Sequence, residues 1–144
     1  WDFGDGVGSS TAVSPTYTYA SIGTYTVVLT ATGPGGTDVV TGTHVVAPMA
    51  VNAAFSSNTP VTLGDTSVFT NMTTGTGPIT YTWDFGDGVG TSTDTNPTYT
   101  YTSAGTYTIT LTATGPGGTD VVTGTHVVVV TSYELYLPVI LNTP

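Results

Sequence analysis

The segment Trp1–Val46 recurs almost intact as Trp83–Val128. Only eight of the 46 aligned pairs differ: Ser9/Thr91, Ala12/Asp94, Val13/Thr95, Ser14/Asn96, Ala20/Thr102, Ile22/Ala104, Val27/Ile109 and Val28/Thr110. A repeat this long and this faithful forces both copies into one fold and indicates an array of modules. Both copies open on Trp-Asp-Phe-Gly-Asp-Gly, as Trp1–Gly6 and Trp83–Gly88, yet only the second has chain before it. The expected organisation is therefore a partial unit over 1–48 lacking its N-terminal strands, a complete unit over 49–130, and an apolar tail over 131–144.

Strand periodicity runs through the complete unit. Tyr107, Ile109, Leu111 and Ala113 alternate with Thr108, Thr110, Thr112 and Thr114, the pattern of a strand with one buried and one wet face. Ile79, Tyr81, Trp83 and Phe85 alternate likewise and stop at the turn residues Gly86-Asp87-Gly88. Ala53–Phe55 and Val61–Phe69 read as two strands separated by a turn at Ser56–Pro60, and Thr91–Pro97 as polar loop or edge. Tyr99 and Tyr101 begin a return, and Gly115–Gly118 is a hairpin loop leading to a closing strand from Val121 to Val130. Many short strands at this spacing, with no helical period, predict an all-β fold, an antiparallel β-sandwich. Gly105-x-Tyr107-x-Ile109 has the spacing of the immunoglobulin tyrosine corner, with Ile109 where a cysteine would stand, so the sandwich is Ig-like without a disulfide.

Composition removes several function classes. With no Lys, no Arg and a formal charge of −9, the chain has no means to neutralise phosphates, which argues against nucleic-acid and anionic-membrane partners. It contains no cysteine, so disulfides and thiolate metal sites are impossible. No apolar run reaches the roughly 20 residues of a membrane span. A secreted, extracellular or cell-surface protein fits these features, and trypsin-like proteases would find no site in it.

The Trp-Asp-Phe-Gly-Asp-Gly turn, Asn96-Pro97-Thr98-Tyr99-Thr100-Tyr101 and Ala104-Gly105-Thr106-Tyr107-Thr108-Ile109-Thr110-Leu111, in that order, resemble the PKD (polycystic kidney disease) domain. The resemblance covers about Ala50–Val130 in full, and Trp1–Val46 as the latter part of a second copy. It implies an Ig-like sandwich, extracellular repeats in surface proteins or secreted hydrolases, and roles as spacer or interaction surface without catalysis. The tail Tyr133–Asn142 looks like the Tyr-Leu-Pro-hydrophobic C-terminal tails of some bacterial secreted proteins.

Candidate chemistry is sparse. Asp84 and Asp87, with their counterparts Asp2 and Asp5, are the best clustered carboxylates. They could hold calcium together with backbone carbonyls, but Asp beside Gly more simply caps tight turns, and that reading is favoured. His44 and His126 stand alone in the closing strands and are expected to be exposed or at an edge, without a metal role. No nucleophile–base or paired-carboxylate motif stands out, so no catalysis and no cofactor is expected. Asn71-Met72-Thr73 is an N-glycosylation sequon. The 35 threonines, many on outward strand faces, are explained by β-propensity, with O-glycosylation as the functional alternative.

If Trp1 is the true start, the first unit would be an open half-sandwich. Trp1, Phe3, Tyr25, Val27 and Leu29 would lie partly bare beside an unpaired edge. Val28 in place of Thr110 makes that unit more apolar. The tail supplies Tyr133, Leu135, Leu137, Val139 and Leu141 at period two, the pattern of a strand without a home. The expectation is self-association into a head-to-tail filament by strand complementation, with Trp1, Phe3, Val28 and those tail residues at the interface. The alternative is a spacer, or a carbohydrate- or protein-binding accessory module, of a larger secreted hydrolase or adhesin.

Overall fold

The computed structural model describes residues 1–131. The chain divides into two compact units at Met49/Ala50, and each is considered by itself.

In the second unit, β3 (Phe55–Ser57), β4 (Val61–Thr62) and β5 (Ser67–Asn71) form the front, followed by β6 (Thr80–Asp84), β7 (Thr91–Ser92) and β8 (Thr98–Tyr99). The hairpin β9 (Gly105–Gly115) and β10 (Gly118–Val129) closes the unit. A five-stranded sheet in the order β4-β10-β9-β6-β7 faces a three-stranded sheet in the order β3-β5-β8. All pairings are antiparallel except β4 with β10, where Val61 lies opposite Val128. This is the Ig-like sandwich. The expected two front strands are three short ones, and Ser56-Ser57 belongs to a strand instead of a turn. Phe55–Ser57 pairs with Phe69–Asn71, so the break falls at Asn58–Pro60.

The core follows the alternation of the sequence. Trp83, Phe85, Ile109 and Leu111 lie between the sheets with Val61, Phe69, Tyr101 and Val128. Each fully buried large apolar side chain contributes roughly 1.5–3 kcal/mol before ordering costs. Rings make much of this contact: Phe69 lies 5.1 Å from Phe85 and 6.0 Å from Trp83 between centroids, and Phe55 meets Trp83 edge-on at 5.3 Å. The Trp83 indole N–H donates to the Asp94 carbonyl at 2.9 Å, so its polar atom is not stranded in that core. At the tyrosine corner the Tyr107 hydroxyl donates to the Ser103 carbonyl at 2.7 Å.

The first unit carries the hairpin β1 (Gly23–Gly33) and β2 (Gly36–Val46), with the register of β9–β10 repeated pair for pair. Asp2 bridges to Val28, and the tyrosine corner recurs as Tyr25 to the Ser21 carbonyl, 2.8 Å. Among the described residues of this unit no second sheet covers the hairpin.

Candidate functional site

At the end of β6 the chain must reverse without losing its core residue Phe85. Gly86 and Gly88 make this possible with φ of +75° and +78°. A Cβ on Gly86 would also stand 2.3 Å from the Thr108 carbonyl oxygen, so the turn lies directly on β9. The carboxylates hold this turn. Asp84 Oδ1 accepts from the Gly86 N–H at 2.8 Å, and Asp87 Oδ1 accepts from Val89 at 3.0 Å and Gly90 at 2.7 Å. Asp87 Oδ2 accepts the Tyr99 hydroxyl at 2.6 Å. The same bonds recur in the first copy: Asp2 with Gly4, and Asp5 with Val7, Gly8 and Tyr17.

These bonds set the acidities. The Tyr99 phenol, then the Gly90 and Val89 amides, hold Asp87 below the ordinary carboxylate value, and the same phenol–carboxylate bond raises Tyr99. Asp5 is lowered by its equivalent set, Tyr17 first, and Tyr17 is pushed up to about 12, chiefly by its bond to Asp5. The carboxylates are thus engaged as turn caps. Among the described residues no group of three or more His, Cys, Asp or Glu surrounds Asp84 and Asp87, or Asp2 and Asp5.

The two histidines part company. His44 is exposed, as expected, but His126 is fully buried, which corrects the sequence expectation. It projects inward from β10 at period two with Val128. Its burial is tolerated because Nε2 lies 2.8 Å from Ser67 Oγ and Nδ1 lies 3.1 Å from Ser57 Oγ. Burial pushes its pKa below the ordinary histidine value. The signal was present: His126 shares parity with Val122 and Val128, whereas Ser57 and Ser67 gave none.

In the first unit, Trp1 and Val28 are half-buried, and Trp1 lines a pocket of about 340 Å³ with Val13, Pro15, Tyr19, Val27 and His44. Phe3 differs from the expectation of a bare ring. It is only 6% exposed, because Tyr17 stacks on it at 4.2 Å. Asn71 ends β5 half-buried, its Oδ1 accepting from the Thr73 N–H at 2.9 Å. Tyr133, Leu135, Leu137, Val139 and Leu141 lie outside the described residues.

The geometry defines a class first: an Ig-like β-sandwich module, preceded by a repeat of its back half, with turns capped by their own carboxylates and, in the sandwich, a buried histidine. The PKD domain family is matched over residues 1–48 and again over 45–130, and the chain belongs to it. Among solved structures, the PKD1 domain of Vibrio anguillarum Epp is 35% identical, with TM-score 0.50 over 57% of this chain and 96% of that one. The PKD1 domain from the Vibrio cholerae metalloprotease PrtV is 37% identical over 58% of this chain and 99% of that one, with TM-score 0.47. A structure described for the promiscuous specificity of carbohydrate-binding modules of the β-sandwich superfamily is 37% identical, with TM-score 0.51. That similarity covers 58% of this chain and 36% of the other. No curated protein sequence matches.

Proposed function

We propose that this chain is a non-catalytic extracellular accessory segment, a spacer and interaction module of PKD-type sandwiches within a larger secreted protein. One observation carries the reading: a unit 37% identical to this one makes up about a third, 36%, of a longer structure concerned with carbohydrate-binding modules. It supports the accessory role over the filament subunit suggested by the repeat and tail. The chemistry agrees with it. The carboxylates and the buried imidazole that a catalyst would need exposed to substrate are engaged by turn amides, a tyrosine and two serines. Absence of Lys and Arg also suits a segment that must survive outside a cell.

The test uses the 144-residue chain in two assays: hydrolysis of polysaccharide and protein substrates, and pull-down with insoluble polysaccharides. The expected result is no turnover, with at most weak polysaccharide retention. Turnover abolished by Asp87→Asn or His126→Gln would overturn the reading.

A further inference from the structure

The five-stranded sheet of the second unit has two unlike edges. One is β7, only Thr91–Ser92, too short to template another strand. The other is shared by β4 and β10. Of the 12 residues of β10, β4 pairs only with Val128 and Val129, and no described strand pairs with the rest of that edge.

Alternation decides which main-chain groups face outward there. The Val127 N–H donates to Thr59 Oγ1 and the Val129 carbonyl accepts from the Leu63 N–H. Odd-numbered residues of β10 therefore turn their amides and carbonyls away from β9. Thr119, Val121, Thr123 and Thr125 present a continuous row of donors and acceptors, and all four are exposed. The row stays open although β3, β4 and β5 are in place.

The usual guards of such an edge are missing. Thr119–Thr125 holds no Lys and no Pro, and the β9–β10 register runs without a bulge from Gly118 opposite Gly115 to Val128 opposite Gly105. Its single charge, Asp120, is already engaged, since Oδ2 accepts the Ala53 N–H at 2.8 Å.

The row also fits itself. Two antiparallel copies about a two-fold axis beside Val122 place Thr119 opposite Thr125, Val121 opposite Thr123, and Val122 opposite its own equivalent. Asp120 then falls opposite Gly124, so no like charges face each other. Cross-strand pairs of β-branched residues stabilise a sheet, and the four open residues of each copy make about eight main-chain hydrogen bonds. This register stops short of Val127, whose N–H Thr59 already holds.

We infer that the β10 edge pairs with the β10 edge of a second copy of this chain, joining their five-stranded sheets into one. The contact is isologous and closes on itself, so it makes a dimer. It rests on the sheet edge and is independent of the accessory role.

Sedimentation equilibrium of the full 144-residue chain across a concentration series tests this. A reversible monomer–dimer equilibrium is expected. Thr123→Pro removes an outward N–H that the monomer does not use in its ladder. It should raise the dimer Kd at least about tenfold while circular dichroism shows the fold retained. Val121→Lys, which asks nothing of the backbone, should have the same effect. Thr41→Pro, the equivalent change on β2, should leave the dimer intact. A chain that stays monomeric throughout would overturn the inference. So would a dimer that survives both β10 variants, or one that Thr41→Pro alone abolishes.

Discussion

The imidazole Nε2 of His126 on β10 lies 2.8 Å from the hydroxyl of Ser67 on β5, a polar link between the two sheets inside an otherwise apolar core. With Ser57 on Nδ1 the neutral ring is satisfied at both nitrogens, one serine hydroxyl accepting from its N–H and the other donating to its bare nitrogen, while burial disfavours the charged form.

Acid should therefore loosen the second unit in a defined window. Burial lowers the folded pKa of His126 below its ordinary 6.5, so the unfolded chain binds the proton more tightly. Stability should be level above pH 7, fall as pH drops from about 6.5 to the folded pKa, and level again below it. Urea midpoints from pH 8 to pH 5, compared with His126→Gln, check this. A wild-type profile as flat as the variant's would rule it out.

Removing one serine isolates the hydrogen bond. Ser67→Ala leaves Nε2 without its hydroxyl in a fully buried site, and the expected loss is roughly 1–3 kcal/mol. Chemical denaturation followed by Trp fluorescence would measure it. No change in midpoint would mean that water replaces the hydroxyl.

How much of this was legible depended on whether a signal repeats along the chain. Alternation on Tyr107–Thr114 and Ile79–Phe85 identified the strands and core rings, because period two is a local consequence of the pleat. The tyrosine corner was legible for the same reason. His126 was misjudged because its acceptability depends on Ser57 and Ser67, which reach it from 69 and 59 residues away. Tyr99 as partner of Asp87 was missed likewise: the sequence marks it only as the start of a return strand, and its hydroxyl meets a carboxylate 12 residues away across the turn. The three short front strands were under-read because strands of two or three residues carry too little pattern.

The Asp87–Tyr99 pair makes a second pH prediction. Asp87 is lowered chiefly by the Tyr99 phenol, so Tyr99→Phe should move its carboxyl back toward 3.8, as seen by carboxyl carbon NMR. The sign for stability is that of a depressed acid. The contribution is present above the unfolded value and is lost as pH falls through the folded one. Tyr17 gives the alkaline counterpart. It should ionise at about 12, later than an ordinary phenol, and the tyrosinate absorbance titration of Tyr17→Phe should lose a late step there, while Tyr101, raised further by burial, still ionises after it.

Backbone geometry predicts a graded pair at the turn. Gly86→Ala combines φ of +75° with a Cβ 2.3 Å from the Thr108 oxygen, whereas Gly88→Ala has φ of +78° but nothing within 4 Å. The first should cost roughly 2–4 kcal/mol and the second about 1–2 kcal/mol. Equal losses would show that strain alone, without the approach to β9, governs the turn.

The most discriminating pair is Gly42→Val against Gly124→Val, the same substitution at equivalent positions of the two units. At Gly124 the added carbon meets the Phe55 ring at 2.6 Å, so the ring must leave its place beside Trp83. Overpacking of this kind costs roughly 1–3 kcal/mol, and displacement of a ring from the core adds to it. At Gly42 the same carbon enters open space on an exposed strand residue, where exchanging Gly for a β-branched side chain is neutral or stabilising by up to about 1 kcal/mol. Two-probe denaturation should therefore show the second unit weakened by Gly124→Val and the first unharmed by Gly42→Val. If both substitutions were equally damaging, the face over Gly42 would be occupied in the isolated chain.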